Sequence, residues 1–203
     1  MIELDYSLVC ARCLRNFADS PEEMPRHVGR CKLRYTHPLL RSKRFQLYCI
    51  PPKARLAERR FTAETVVKTM QDSNEVPTDK AGWYADREDG QILQSHAFVP
   101  TVNDNVVGLA IASLKLCFPY VHGRTTEKSA IPETSPRWTI TRLWVLKPHR
   151  REGIASKTIL AVAKYFKVDV SELGVDTPNP HSRKVMESLC GIQINLAFAA
   201  PEP

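Results

Sequence analysis

Residues 142–156 read RLWVLKPHRREGIAS. The stretch WTITRLWVL, residues 138–146, is dense in β-branched and aromatic side chains and predicts a strand. KPHRREG cannot prolong it, because proline donates nothing to a ladder and glycine weakens one. In IASKTILAVAKYF, Ile154, Ile159, Val162 and Phe166 then fall near one helical face. A strand that turns directly into a helix presents backbone N–H groups without acceptors and the positive end of a helix dipole. Arg150, Arg151, Glu152, Gly153, Ile154 and Ala155 form that turn. Phosphate or pyrophosphate suits such a cradle. Gly153 lets the backbone approach a ligand closely, and two arginines add charge at the rim. Neither nucleotide fingerprint, G-x-G-x-x-G or G-x-x-x-x-G-K-[ST], is present. The plain alternative is a basic strand–helix turn that binds nothing.

Working outward from the loop, residues 43–50 (KRFQLYCI) read as a strand ended by PPK, and residues 61–73 as a helix with Phe61, Val66, Val67 and Met70 on one stripe. Residues 74–90 are polar and loop-like. QILQSHAFV and VVGLAIASLKL predict a hairpin turned at Asn103-Asp104-Asn105. Residues 119–137 read as a long polar loop, a kind that usually carries function. LGVDT (173–177) predicts a short strand, PHSRKVMESLC a helix stopped near Gly191, and IQINLAF a last strand. Strands alternating with helices predict an α/β domain with a mixed sheet flanked by helices.

The chain has 203 residues and 43% apolar composition, enough for one ordinary domain and a small module. It lacks an 18-residue apolar run and a secretory start, so the expectation is a soluble intracellular protein with no membrane partner. Net charge is +7. Residues 1–60 hold 13 Lys/Arg against 6 Asp/Glu, while the remainder holds 16 of each. That basic excess suggests contact with chromatin or another acidic surface; a solvated face or nuclear-import signal explains it equally well.

Three of the six cysteines crowd into CARCLRNFADSPEEMPRHVGRC, residues 10–31. Cys10-x2-Cys13-x13-His27-x3-Cys31 supplies the four ligands of a closed tetrahedral zinc site, with His37 as a spare. Ser20, Pro21 and Glu23 predict an N-cap, a first helical position and a capping-box partner. The helix then carries His27 and Cys31 four residues apart, on one face. That helix's first turn holds Pro21, Glu22, Glu23 and Pro25, and phosphate would repel its acids. A structural, docking finger fits better than a DNA reader. Cys49, Cys117 and Cys190 read as core residues, His149 as an exposed histidine, and Trp83, Trp138 and Trp144 as packing.

R-x-x-G-x-A at 150–155, between a strand and an amphipathic helix, resembles the acetyl-CoA loop of the GNAT acetyltransferases. ITRLWV (140–145), RREGIAS (150–156), VDTPNP (175–180), VVKTMQDSNE, NDNVVGLAIA and the finger with SPEE inside it together resemble the Eco/ESCO cohesin acetyltransferases. The resemblance implies a GNAT domain over 42–203 behind a zinc module over 1–41, with acetyl-CoA as cosubstrate and structural Zn2+. It also implies a nuclear enzyme that acetylates a lysine of cohesin's structural-maintenance subunit to establish sister-chromatid cohesion.

The resemblance further assigns acetyl-CoA contacts to Leu143, Trp144 and Val145 of the strand, to Arg150 through Ser156 of the loop, and to Thr177, Pro178 and Asn179. It places Thr141 and Asp176 beside the substrate lysine, Asp176 as base and Thr141 orienting water or amine. Threonine stands where that family has serine, and TPNPHS departs from the family's PTPDG, which loosens the register near Asp176 by about a residue. Glu127 and Glu133 are reserve bases. Asp176 at a strand end equally suits a turn or a helix cap, and Thr141 an ordinary strand position. Two rivals remain: a GNAT enzyme for histones or small amines with a fused finger, and a non-catalytic nucleic-acid-binding finger on an inactive GNAT-like scaffold.

Overall fold

The computed structural model describes residues 5–32, 35, 37–55, 95–121, 135–176, 180–190 and 193–197. The expected helix at 61–73 and polar loop at 74–90 lie outside them, as do Trp83, Glu127, Glu133 and Gly191. Backbone contacts divide the chain into a unit of residues 1–93 and 99–108 and a unit of residues 94–98 and 109–203.

In the first unit, β1 (Pro38–Arg41) pairs antiparallel with β2 (Phe45–Ile50), matching Leu40 to Leu47 and Arg41 to Gln46. Phe45, Leu47, Tyr48 and Ile50 are buried, and Tyr35 packs its ring 5.2 Å from that of Tyr48. The end of β3 (His96–Val102) turns into β4 (Asn105–Val106) through Asn103 and Asp104. Their φ values of 49° and 62° are the paired left-handed conformations of a two-residue hairpin turn, which asparagine and aspartate tolerate better than other side chains. The turn is tied to the residue just before β2: the Asn103 N–H donates to the Arg44 carbonyl at 2.9 Å.

In the second unit the strand order is β3-β5-β7-β8-β9-β6. The strands are β5 (Gly108–Lys115), β6 (Cys117–Val121), β7 (Arg137–Val145), β8 (Gly174–Asp176) and β9 (Gln193–Ala197). β7–β8 and β8–β9 are parallel, β3–β5 and β6–β9 antiparallel. Parallel neighbours need crossovers. Helices α2 (Ile154–Phe166) and α3 (Pro180–Cys190) supply them. The mixed sheet flanked by helices is the architecture the sequence predicts. Residues 119–121 depart from the loop that the sequence predicts: they belong to β6, held by its ladder to β9 despite Pro119.

Helix α2 buries Ile154, Thr158, Ile159, Val162 and Ala163. Burying Ile159 and Val162 contributes about 1.5–3 kcal/mol each. The Thr158 hydroxyl donates to the Ile154 carbonyl at 2.9 Å, which satisfies it inside the core. Lys167, at φ 57°, closes the helix by donating its N–H to the carbonyls of Ala163 and Lys164. Phe166, from the predicted stripe, stacks on Trp138 with centroids 3.6 Å apart. Trp144 is buried on β7. Both tryptophans therefore pack.

Candidate functional site

The loop between β7 and α2 is an open backbone cradle. Arg151 and Gly153 both take left-handed φ, 68° and 73°, and Gly153 stands at the N-cap of α2. A Cβ built on Gly153 would meet nothing within 4 Å, so conformation, not crowding, selects glycine there. The first intrahelical bond runs from the Lys157 N–H to the Gly153 carbonyl at 3.0 Å. The N–H groups of Ile154, Ala155 and Ser156 precede it, and helix geometry gives them no intrahelical acceptor. Arg150 is exposed and anchors the turn by donating from Nε to the Val145 carbonyl at 2.9 Å. His149, half-buried rather than exposed, sits with Nδ1 3.4 Å from Glu152 Oε2. Thr177, Pro178 and Asn179 lie outside the described residues.

Thr141 and Asp176 converge through the sheet. The parallel ladder pairs Thr139 with Gly174 and Ile140 with Val175. One step further along that register, Thr141 stands level with Asp176 on the neighbouring strand, and level residues of parallel strands share a face. The Thr141 hydroxyl donates to the Ile111 carbonyl of β5 at 3.4 Å. The Asp176 side chain is 12% exposed and accepts from Lys115 Nζ at 2.6 Å. Sequence reasoning passed over Lys115, which lies 61 residues from its partner; only its place at the end of a hairpin strand could have drawn attention to it.

In the first unit, Cys10, Cys13, His27 and Cys31 gather with their ligand atoms all within 4.8 Å of one another. That span is about two Zn–S bonds. A tight knuckle brings the first pair together: the N–H groups of Cys13 and Leu14 both donate to the Cys10 carbonyl, at 3.3 and 2.7 Å. Leu14 adopts φ 61° there, at a cost of about 1–2 kcal/mol offset by a fully buried side chain. Helix α1 (Met24–Arg30) and its C-cap Cys31 bring His27 and Cys31, and Cys13 Sγ lies 3.2 Å from His27 Nε2. Phe17 and Met24 pack the cluster's apolar side.

Hydrogen bonding from Cys13 pulls the Cys10 thiol down to about 4, while the same bond pushes Cys13 up and burial pushes Cys31 up. Crowded thiols of this kind are a donor set suited to zinc, which deprotonates its ligands. The expected capping box does not form: Ser20 makes no side-chain cap bond, residues Pro21–Glu23 wind as a 3-10 turn, and Glu23 reaches Arg15 at 3.7 Å instead.

Cys190 is half-buried rather than in the core; it donates to the Val170 carbonyl at 3.3 Å, and burial pushes its thiol up, which disfavours the reactive thiolate. Cys49 is half-buried; the Cys117 side chain lies outside the described residues. Among the described residues, no helix is long and apolar enough to cross a membrane.

The mixed sheet, with a helix N-terminus where β7 meets α2, makes a site suited to phosphate or pyrophosphate. The chain belongs to the acetyltransferase (GNAT) family, whose model matches residues 63–192. It is thus an acyltransferase and its cosubstrate is acetyl-CoA. Among solved structures, the xEco2 acetyltransferase domain bound to a CoA conjugate aligns with a TM-score of 0.62 at 17% identity, covering 82% of this chain and 100% of that one. A second structure of the xEco2 acetyltransferase domain aligns at 0.57 and 17% identity, covering 81% of this chain and 97% of that one. These are likenesses of fold. No curated protein matches the sequence.

Proposed function

We propose that the chain is a protein lysine N-acetyltransferase of the nucleus, acting on the structural-maintenance subunit of cohesin. The observation that carries the chemistry is Asp176, a nearly buried carboxylate level with Thr141 one strand away. Lysine carries a proton until about pH 10.4, so an amine that attacks a thioester must first lose it. Asp176 takes that proton directly or through a water that Thr141 orients. Backbone N–H groups along β7, at Leu143, Trp144 and Val145, stabilise the carbonyl oxygen as it gains charge. Residues 150–156 hold the pyrophosphate.

Supporting the cohesin reading are the Eco/ESCO-like stretches at 10–31, 140–156 and 175–180 and the fold likeness to the xEco2 domain. The zinc module over 1–41 serves as a docking adaptor, and the basic tract after it meets an acidic surface on the substrate or on chromatin. The acids Glu22 and Glu23 are exposed at the finger's helix start, where phosphate would be repelled.

Gly153→Val is expected to weaken acetyl-CoA binding roughly tenfold or more, measured by calorimetry. A β-branched residue at φ 73° is strained by about 1–2 kcal/mol, and its side chain fills the cradle. Unchanged affinity would remove the loop from the cofactor site. For the substrate, kcat/KM is compared for a purified cohesin head, histone peptides and polyamines. The expected result is a preference of about tenfold or more for the head, the range one or two good contacts provide. A faster polyamine or histone reaction would favour a different GNAT substrate.

A further inference from the structure

Lys115 ends β5, and its ammonium lies 2.6 Å from Asp176 Oδ2. Its side chain is 36% exposed, that of Asp176 12%. The role given above to Asp176 makes no use of this partner. A half-exposed ion pair contributes little to folding, because solvent screens it and fixing a lysine costs rotamer freedom. Its position at the reacting end of the sheet calls for another account.

We propose that Lys115 is a positioning residue for acetyl transfer: its ammonium fixes the Asp176 carboxylate and balances its charge, so that the incoming lysine sheds its proton at lower pH. The inference rests on the reading of Asp176 as base. A lone carboxylate would hold the incoming lysine as the ammonium, the form that cannot attack, since an opposite charge favours the charged state. With Lys115 in place the pair is neutral, and a second cation gains less from approaching it. A carboxylate has about four acceptor positions, enough to receive Lys115 and an amine together.

The reaction balances without a further reagent. The amine nitrogen bonds to the thioester carbonyl carbon, the carbon–sulfur bond breaks, coenzyme A leaves as the thiol, and one proton passes from the amine through Asp176 to solvent.

Among the described residues, the elements around the pair carry the following ionisable groups. From β7, Arg142 donates through Nη1 to the Thr141 carbonyl at 2.7 Å. β9 has no ionisable residue in Gln193–Ala197. Helix α3 carries His181, Arg183, Lys184 and Glu187, and the 3-10 turn before β8 carries Glu172 capped by Asp169.

The test uses acetyl-CoA and Nα-acetyl-lysine methylamide as the amine, so it does not depend on the protein substrate. Release of coenzyme A is followed from about pH 6 to about pH 9, with melting temperature as the check on folding. Lys115→Met is expected to raise the midpoint of the kcat rise, which reports the enzyme–substrate complex, by about one pH unit, roughly a tenfold loss at neutral pH. Lys115→Gln, which keeps a donor without the charge, should shift likewise, and Lys115→Arg should stay near the wild-type midpoint.

An unchanged midpoint in both neutral variants overturns the inference. So does a faster Lys115→Met enzyme, which would make Lys115 a competitor for the amine's place. If Asp176→Asn retains full activity, the reading of Asp176 fails and this inference with it. If Asp176→Asn is inactive while Lys115→Met and Lys115→Gln behave as wild type, Asp176 stands and Lys115 alone falls. Absence of wild-type turnover overturns both.

Discussion

Asp176→Asn is expected to slow acetyl transfer roughly tenfold or more while leaving the dissociation constant for acetyl-CoA nearly unchanged. Asparagine matches aspartate in size and still accepts a hydrogen bond, but it cannot take a proton. General-base catalysis contributes typically about 10²–10⁴-fold, so tenfold is a conservative floor. The change also removes the ionic partner of Lys115, which lies 2.6 Å away. A melting curve separates lost chemistry from lost folding, and Asp176→Glu should recover part of the rate where asparagine does not. Acetyl-CoA binding is a control because the cradle at 150–156 is built from backbone and arginines, none of which the substitution alters. If Asp176→Asn transferred acetyl groups at the wild-type rate, the proton would leave by another route.

Zinc removal is expected to have the largest effect on the N-terminal module. Cys10, Cys13, Cys31 and Phe17 are the buried residues of its apolar cluster, with Met24 packed against them. Helix α1 is only seven residues long, shorter than an isolated helix that persists in water. Structural zinc supplies about 10–16 kcal/mol in small finger peptides, far more than so small a cluster yields by burial. A strong chelator, or Cys31→Ser, should therefore expose residues 10–31 to protease and remove the helical signal of α1. Transfer to a protein substrate should fall more than acetyl-CoA affinity does. Equal loss of both would contradict the adaptor role.

The elements that define the fold were legible because they change period abruptly. WTITRLWVL is dense in β-branched and aromatic residues, the proline–glycine stretch breaks it, and the helix after Gly153 repeats at 3.6 residues; the structure places β7 at Arg137–Val145 and α2 at Ile154–Phe166. Asn103 and Asp104 announced their turn because few other residues accept two left-handed φ values in a row.

What stayed hidden depends on partners distant in sequence. β6 contains Pro119 and adjoins a polar stretch, so local propensity reads it as loop; only its ladder to β9 makes it a strand. β1 begins at Pro38, and its four residues gain their strand character from β2. Ser20 has the right chemistry for a cap, but a 3-10 turn changes where its neighbours point. The metal ligands could be read because spacing alone groups them. The Lys115–Asp176 pair could not, because it arises only when β5 and β8 are arranged within one sheet.

Incubating the purified chain with acetyl-CoA and a purified cohesin head, and reading the products by mass spectrometry, decides whether the head is the substrate. The expected product is an acetyl group on a lysine of the head, formed with stoichiometric release of coenzyme A and lost when Asp176→Asn replaces the wild type. Coenzyme A release with no acetylated head lysine, or acetylation that Asp176→Asn leaves intact, would contradict it.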